Sequence, residues 1–174
     1  LDSVEAGGIN NVAIGDNAGT AITTGDCNTA VGKDSLCKTT TGIQNTAMGL
    51  RSLRSNTTGE NNVAIGAYAL DAHVSGSCSV AVGASSLELN TASNNTAVGG
   101  RSMTFNTTGT GNVAVGKSAL TANTTANNNT AVGYFALTAN TTGNCNTAVG
   151  ASAAGEITTG VQNTAVGYNA GGVI

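Results

Sequence analysis

The chain has 174 residues and a formal net charge of −3, with 9% charged residues, 3% aromatic residues and no proline or tryptophan. Typical domains are about one quarter charged and contain many large apolar residues, so this composition argues against an ordinary globular core. The acidic balance and the lack of a basic run argue against nucleic acid as a partner. No apolar stretch approaches the ~20 residues needed to cross a bilayer, so we expect no membrane insertion in this segment.

A five-residue motif recurs ten times along the chain. It reads NTAVG at Asn28 and has close variants, such as NVAIG at Asn11. The closing glycines lie 17 residues apart, except for one interval of 16 residues between Gly83 and Gly99. A fixed period of this length is typical of a solenoid in which each repeat forms one turn of a coil. We therefore predict an all-β parallel solenoid over residues 1–174, forming a single array with an irregular turn at 84–99.

The motif is predicted to be a short β-strand because its residues alternate in character. Thr or Val at its second position shares one face with the residue at its fourth position, while the Ala and the Gly share the other face. The fourth position is always apolar, so its face is interpreted as the interior of the coil. The residues expected in this part of the core are Val31, Met48, Ile65, Val82, Val98, Val115, Val132 and Val149.

Two further blocks follow each motif. The first places Ala or Ser before Leu or Met, and we expect its leucines to complete the core: Leu36, Leu53, Leu70, Leu87, Leu120 and Leu137. The second is Thr-Thr-Gly, interpreted as an outer connection. In the 16-residue turn this connection is altered, so the missing residue is expected near 90–94, with the strand register kept.

The first and last residues of the motif have separate predicted roles. Its Asn stacks on the Asn of neighbouring turns, and a ladder of identical Asn side chains can form hydrogen bonds along the stack. Its Gly supplies backbone angles that other residues resist, so the chain can turn there.

The Ala and Gly face of the strands is predicted to contact other copies of the chain. A face nearly without side chains allows close approach of another backbone. Two or three apolar side chains per turn at about 1.5 to 3 kcal/mol each do not by themselves offset the entropy of ordering a turn, and the added backbone hydrogen bonds leave a single coil marginal. We therefore expect a side-by-side homotrimer whose interface contains Ala30, Ala47, Ala64, Ala81, Ala97, Ala114, Ala131 and Ala148.

The sequence offers no recognisable constellation for catalysis or metal binding. His73 is the single histidine, and the acidic residues are scattered without forming a column. Cys27, Cys78 and Cys145 share one column, but stacked strands separate the nearest pair by roughly 14 Å, too far for a disulfide. We predict no enzyme activity, no catalytic residue, no metal and no cofactor.

A solitary solenoid that binds ice or another ligand through its Thr-rich face is the alternative function. Flat Thr ladders on β-solenoids can order water. However, adjacent residues of an extended chain point to opposite sides, so the Thr-Thr block presents one outward Thr per turn. Disorder is a further alternative for such a polar composition, but the strict period argues against it.

The motif resembles the head repeat of trimeric autotransporter adhesins, whose signature runs N-S-V-A-I-G-x-x-S. Residues 11–18 and 62–69 are similar to that signature. The chain is even more similar to N-T-T-G-x-x-N-T-A-V-G-x-x-A-L arrays of phage tail fibres and related viral or bacterial fibres, as at 106–120 and 140–154. The resemblance extends over essentially the whole chain, although its 17-residue period is longer than the usual adhesin repeat.

This resemblance implies a left-handed β-roll with three chains side by side. The implied function is that of a rigid structural segment of an extracellular fibre, on a cell surface or a virion. Such a segment acts as a spacer and as a candidate adhesive module, with a host-cell glycan or surface receptor as its partner. Bacterial adhesin and viral or phage fibre both remain open, and the chain is expected to be an excerpt of a longer fibre.

Overall fold

The computed structural model describes residues 8–172 and contains ten short parallel strands, with no helix in that range. Each strand consists of the three central residues of one motif copy. The strands are β1 (Val12–Ile14), β2 (Thr29–Val31), β3 (Thr46–Met48), β4 (Val63–Ile65), β5 (Val80–Val82), β6 (Thr96–Val98), β7 (Val113–Val115), β8 (Thr130–Val132), β9 (Thr147–Val149) and β10 (Thr164–Val166).

The strands stack in chain order, and each pairs in parallel with the strand of the next turn. Equivalent residues lie opposite one another, as in Thr29 with Thr46 and Ala30 with Ala47. A parallel connection between adjacent strands through a full turn of chain is the topology of a solenoid. The predicted all-β parallel solenoid is therefore confirmed.

The 16-residue turn keeps the strand register, because Val98 pairs with both Val82 and Val115. The hydrogen bonds of the outer connection show where the missing residue would lie. The amide nitrogen of the Asn90 side chain donates to the carbonyl of Ala92, two residues ahead, at 2.7 Å. In an ordinary turn the equivalent Asn106 donates to a carbonyl three residues ahead, at 3.0 Å. The missing residue therefore lies just after Asn90, inside the predicted segment.

The apolar core lies between the strands and the Leu-containing block, but the strand side chains that enter it are the alanines. The motif Ala is fully buried from β2 to β9, and it packs in one cluster with the leucines and Met103. The prediction for the leucines is confirmed. The prediction for the fourth motif position was wrong, because these residues face outward: Val31, Met48, Ile65, Val82, Val98, Val115, Val132 and Val149.

The narrow interior explains this reversal. The buried side of every strand except β5, where Ser79 takes its place, also carries the motif Asn, and one Leu or Met enters from the opposite wall in most turns. An interior packed to ordinary density has no room for a further branched side chain, so only a methyl group fits at the motif Ala.

The other half of the interior is polar and is organised by the motif Asn residues. Asn28, Asn45 and Asn62 are fully buried. The side-chain oxygen of Asn28 accepts from the backbone N–H of Asn45 at 3.0 Å, and the amide of Asn45 donates to the carbonyl of Gly59 at 2.8 Å. The same pattern recurs along the stack, so the predicted Asn ladder is confirmed, with one interruption at Ser79, whose hydroxyl oxygen accepts from the backbone N–H of Asn95 at 3.4 Å. It satisfies polar groups that would otherwise be costly to bury.

A second Asn column lies at the start of the outer connection and was not predicted. Asn123 donates from its side-chain amide to the side-chain oxygen of Asn106 at 2.7 Å and to the carbonyl of Ala126 at 3.1 Å. His73 occupies this column one turn after Asn56 and is fully buried. Its Nδ1 lies 3.1 Å from the carbonyl of Asn90, whereas its Nε2 and the Asn56 side-chain oxygen have no hydrogen-bond partner. The ladder is therefore interrupted at His73.

Replacing His73 with Asn is expected to raise the stability of the solenoid by roughly 1 kcal/mol, because Asn can donate to the unsatisfied Asn56 oxygen. Burial lowers the pKa of His73 below its usual range, despite the contact with the backbone carbonyl of Asn90, which acts in the opposite direction. The unfolded chain therefore binds more protons than the folded chain below about pH 6.5, and stability falls as pH decreases through this region. Thermal unfolding of His73→Asn should lose this part of the pH dependence; identical pH profiles for both proteins would contradict it.

Three positions per turn, most of them occupied by residues other than glycine, adopt left-handed backbone angles. In one turn these are Asp34 (φ 56°), the buried Leu36 (φ 47°) and Gln44 (φ 56°). The Gln44 column also contains the three cysteines of the predicted column together with Asn and Gly. Asn and Gly adopt this conformation readily, which explains their presence in this column. Cys27, Cys78 and Cys145 are exposed free thiols.

Candidate functional site: the exposed strand face

The outer face of the sheet carries an aliphatic column along the solenoid. We call the fourth motif residues of all ten strands the Val column. Seven of them are between 36% (Val98) and 69% (Val166) exposed, while Val31, Val82 and Val132 are half-buried. Such a continuous exposed apolar stripe is uncommon on a soluble monomer and marks interaction surfaces.

A parallel column of Thr and Val lies beside the Val column, at the second motif position. Thr29 and Val31, for example, lie at the two ends of β2 and both point outward. Nine steps of about 4.8 Å between ten strands make the face roughly 43 Å long. The strand face, defined by these two columns, is therefore long, and it bears no charged side chain among the described residues.

The alanines predicted to form a trimer interface cannot contact another chain. Each is fully buried inside a single solenoid, so no partner can reach it. This prediction and the one for the Val column were wrong for the same reason: the sequence analysis placed the outer face of the strands inside the solenoid and the inner face outside. The residues concerned are Ala30, Ala47, Ala64, Ala81, Ala97, Ala114, Ala131 and Ala148.

The Thr-Thr side of the solenoid is polar, but many of its hydrogen-bonding groups are already paired within the solenoid. The hydroxyl of the first Thr donates to a backbone carbonyl of the next turn, as Thr107 does to Thr124 at 3.0 Å and Thr141 does to Thr158 at 3.2 Å. The second Thr is exposed, as at Thr125. One Thr per turn is thus free to face solvent, which agrees with the sequence-based expectation.

The side that follows the closing glycine carries the large polar and aromatic side chains. All six Lys and Arg residues and all five Tyr and Phe residues fall within six residues after a closing Gly. Asp71 accepts ion pairs from Arg51 at 3.2 Å and Arg54 at 2.9 Å, and Arg51 lies over the ring of Tyr68 at 5.1 Å. We call this side the variable side. Sequence analysis missed it, although counting residue types by repeat position would have found it.

Residues 8–172 contain no enclosed pocket and no group of three His, Cys, Asp or Glu side chains that could hold a metal ion. His73 is buried without a nucleophile or carboxylate as partner, and burial raises the pKa of the Cys37 thiol. A raised pKa reduces the thiolate fraction, so Cys37 is a poor nucleophile at neutral pH.

The described part of the chain also contains no helix that is long and apolar enough to cross a membrane. A scan against protein-family models gave no match, and searches of curated proteins and of solved structures gave no similar protein.

Proposed function

We propose that the chain is a non-enzymatic structural segment of a trimeric fibre on a cell surface or a virion, acting as a rigid spacer and as a receptor-contacting module. The exposed aliphatic Val column carries this proposal. Three solenoids side by side would bury their strand faces against one another around a common axis. The left-handed sense and the fibre context rest on the resemblance of the repeats to adhesin heads and tail fibres.

Another copy of the same chain fits the strand face better than an unrelated partner does. The face is uncharged and periodic, and a second copy presents the same stripe with the same spacing of about 4.8 Å. Val115, Val132 and Val149 repeat in register in successive turns. Side chains of two parallel faces can therefore interdigitate along their whole length, which removes apolar surface from water at every turn.

A solitary ice- or ligand-binding solenoid is the second candidate function. It is supported by the outward pairs of Thr and Val on five of the ten strands, β2, β6, β8, β9 and β10, which present hydroxyl and methyl groups side by side. Measurement of thermal hysteresis tests it directly. Freezing-point depression by a monomeric protein would favour this candidate over the fibre.

Val132→Asp is expected to convert the trimer to a monomer, because three copies would bring like charges together at a desolvated axis. Sedimentation equilibrium at micromolar concentration measures the mass, and circular dichroism checks that the fold is kept. Thr125→Asp, on the exposed outer connection, is the control and should remain trimeric. A stable monomer of the unmodified chain at micromolar concentration would refute the trimer.

A further inference from the structure

The variable side differs in charge between the two halves of the solenoid. Before residue 89, three of its four cations pair with acids: Lys33 with Asp16 at 3.0 Å, and Arg51 and Arg54 with Asp71, whereas Lys38 forms no ion pair with a described residue. From residue 89 to residue 155 the sequence contains no Asp or Glu. Arg101 and Lys117, the two cations of this stretch, are exposed and form no ion pair with any described residue.

Aromatic residues lie in the turns directly after these cations. Tyr134 occupies the same repeat position as Lys117 one turn later, and Phe135 occupies that of Arg101 two turns later. The backbone is in register here, since the N–H of Phe135 donates to the carbonyl of Lys117 at 3.1 Å. Lys117 and Tyr134 therefore project from neighbouring turns about 4.8 Å apart. We call Arg101, Lys117, Tyr134 and Phe135 the basic aromatic patch.

The ring of Tyr134 is exposed to solvent and is held in place by the neighbouring ring of Phe135. It is 52% exposed, and the ring of Phe135 packs against it edge-on, with centroids 4.3 Å apart. Such a contact restricts the Tyr134 side chain before any ligand binds. An exposed aromatic face held in place suits a flat apolar surface such as the C–H face of a sugar ring.

We infer that the basic aromatic patch binds an acidic glycan. Arg101 and Lys117 pair with a carboxylate of the glycan, and the neighbouring sugar stacks on Tyr134. Because the patch is open and has no enclosed pocket, a linear ligand can lie along the solenoid axis. Glu88 lies on the same side one turn before Arg101 and forms no ion pair with a described residue, so a continuous polyanion such as nucleic acid would be repelled there. A glycan whose acidic sugars alternate with neutral sugars avoids this repulsion.

This inference deepens the receptor-contacting part of the proposed function and rests on it, but it does not require the trimer. The test is a titration of the full chain with a hyaluronan octasaccharide, in which calorimetry measures the Kd. Arg101→Ala with Lys117→Ala should raise the Kd at least about tenfold, because charge-assisted contacts to carboxylate are lost. Tyr134→Ala should raise it about fivefold through loss of stacking.

Lys33→Ala is the matched control, because Lys33 occupies the same repeat position as Lys117 but pairs with Asp16. Its Kd should equal that of the unmodified chain. Absence of hyaluronan binding, equal weakening by Lys33→Ala, or equal binding of a neutral chitin oligosaccharide or of a single-stranded oligothymidine would overturn the inference. Sedimentation of the same samples keeps the two questions apart, since a trimer that binds no glycan would refute this inference and leave the spacer role intact.

Discussion

Gly99→Ala is expected to destabilise the solenoid by about 3 kcal/mol or more, because Gly99 adopts backbone angles essentially restricted to glycine and lies against the next turn. Its φ is 128°, and an added Cβ would lie 2.6 Å from the backbone carbonyl carbon of Gly116. The carbonyl carbon belongs to the backbone and cannot move aside as the end of a flexible side chain could. The turn can therefore relieve the clash only by breaking the backbone hydrogen bonds that stack it on its neighbours.

The adjacent Gly100 provides the control for this experiment. An added Cβ at Gly100 would come no closer than 3.9 Å to any atom, and its φ does not lie in the left-handed region. Gly100→Ala should therefore change the free energy of unfolding by no more than about 0.5 kcal/mol. Thermal or urea unfolding of the two variants measures the difference. Similar loss of stability in both would mean that the turns are less closely stacked than the structure has them.

Ala131→Asp is expected to cost roughly 3 to 5 kcal/mol, because it places an unpaired carboxylate in the apolar half of the interior. Ala131 is fully buried between Ala114 and Ala148. By contrast, Val132→Asp places the same charge on the strand face, where water reaches it in a single chain. Urea unfolding in a concentration range where both variants are monomeric compares them on equal terms.

The outcome separates the two possible orientations of the strand. If Val132→Asp proved the more destabilising of the two in the monomer, the Val column would be interior and the orientation of the strands would be reversed. Thr125→Asp serves as the reference for an exposed site and should be nearly neutral. The chain thus supplies three acidic substitutions within eight residues that differ mainly in burial.

The repeat period was sufficient to predict the architecture, because a match of Asn28 to Asn45 and of Leu36 to Leu53 fixes the register of a stacked coil. It was not sufficient to orient the strand. Alternation separates Ala30 from Val31 but does not say which one faces inward, and greater hydrophobicity at Val31 suggested the wrong answer. The variation of each motif position among the turns indicates the correct orientation. The fourth motif position accepts Val, Ile and Met, as an open surface can, whereas the Ala never changes.

The second Asn column was missed for a different reason. Asn56, Asn106, Asn123 and Asn140 belong to sequence that reads as an exposed polar connection. Their burial depends on hydrogen bonds to the next turn and to the local carbonyl, which only the closed coil brings within reach. Local composition cannot distinguish such a buried polar column from a solvated loop.

The skipped residue near Asn90 shows where the solenoid can change without disturbing its sheet. A shorter connection left the pairing of β5 with β6 unaltered, so the outer connection absorbs changes in length that the strand cannot. Each turn bonds only to its neighbours, so a whole 17-residue unit added in register would extend the coil by about 4.8 Å and leave every other turn as it was. Adding or removing whole units would therefore change the length of the coil in fixed increments, and a side chain exchanged on the variable side would affect at most the turns next to it.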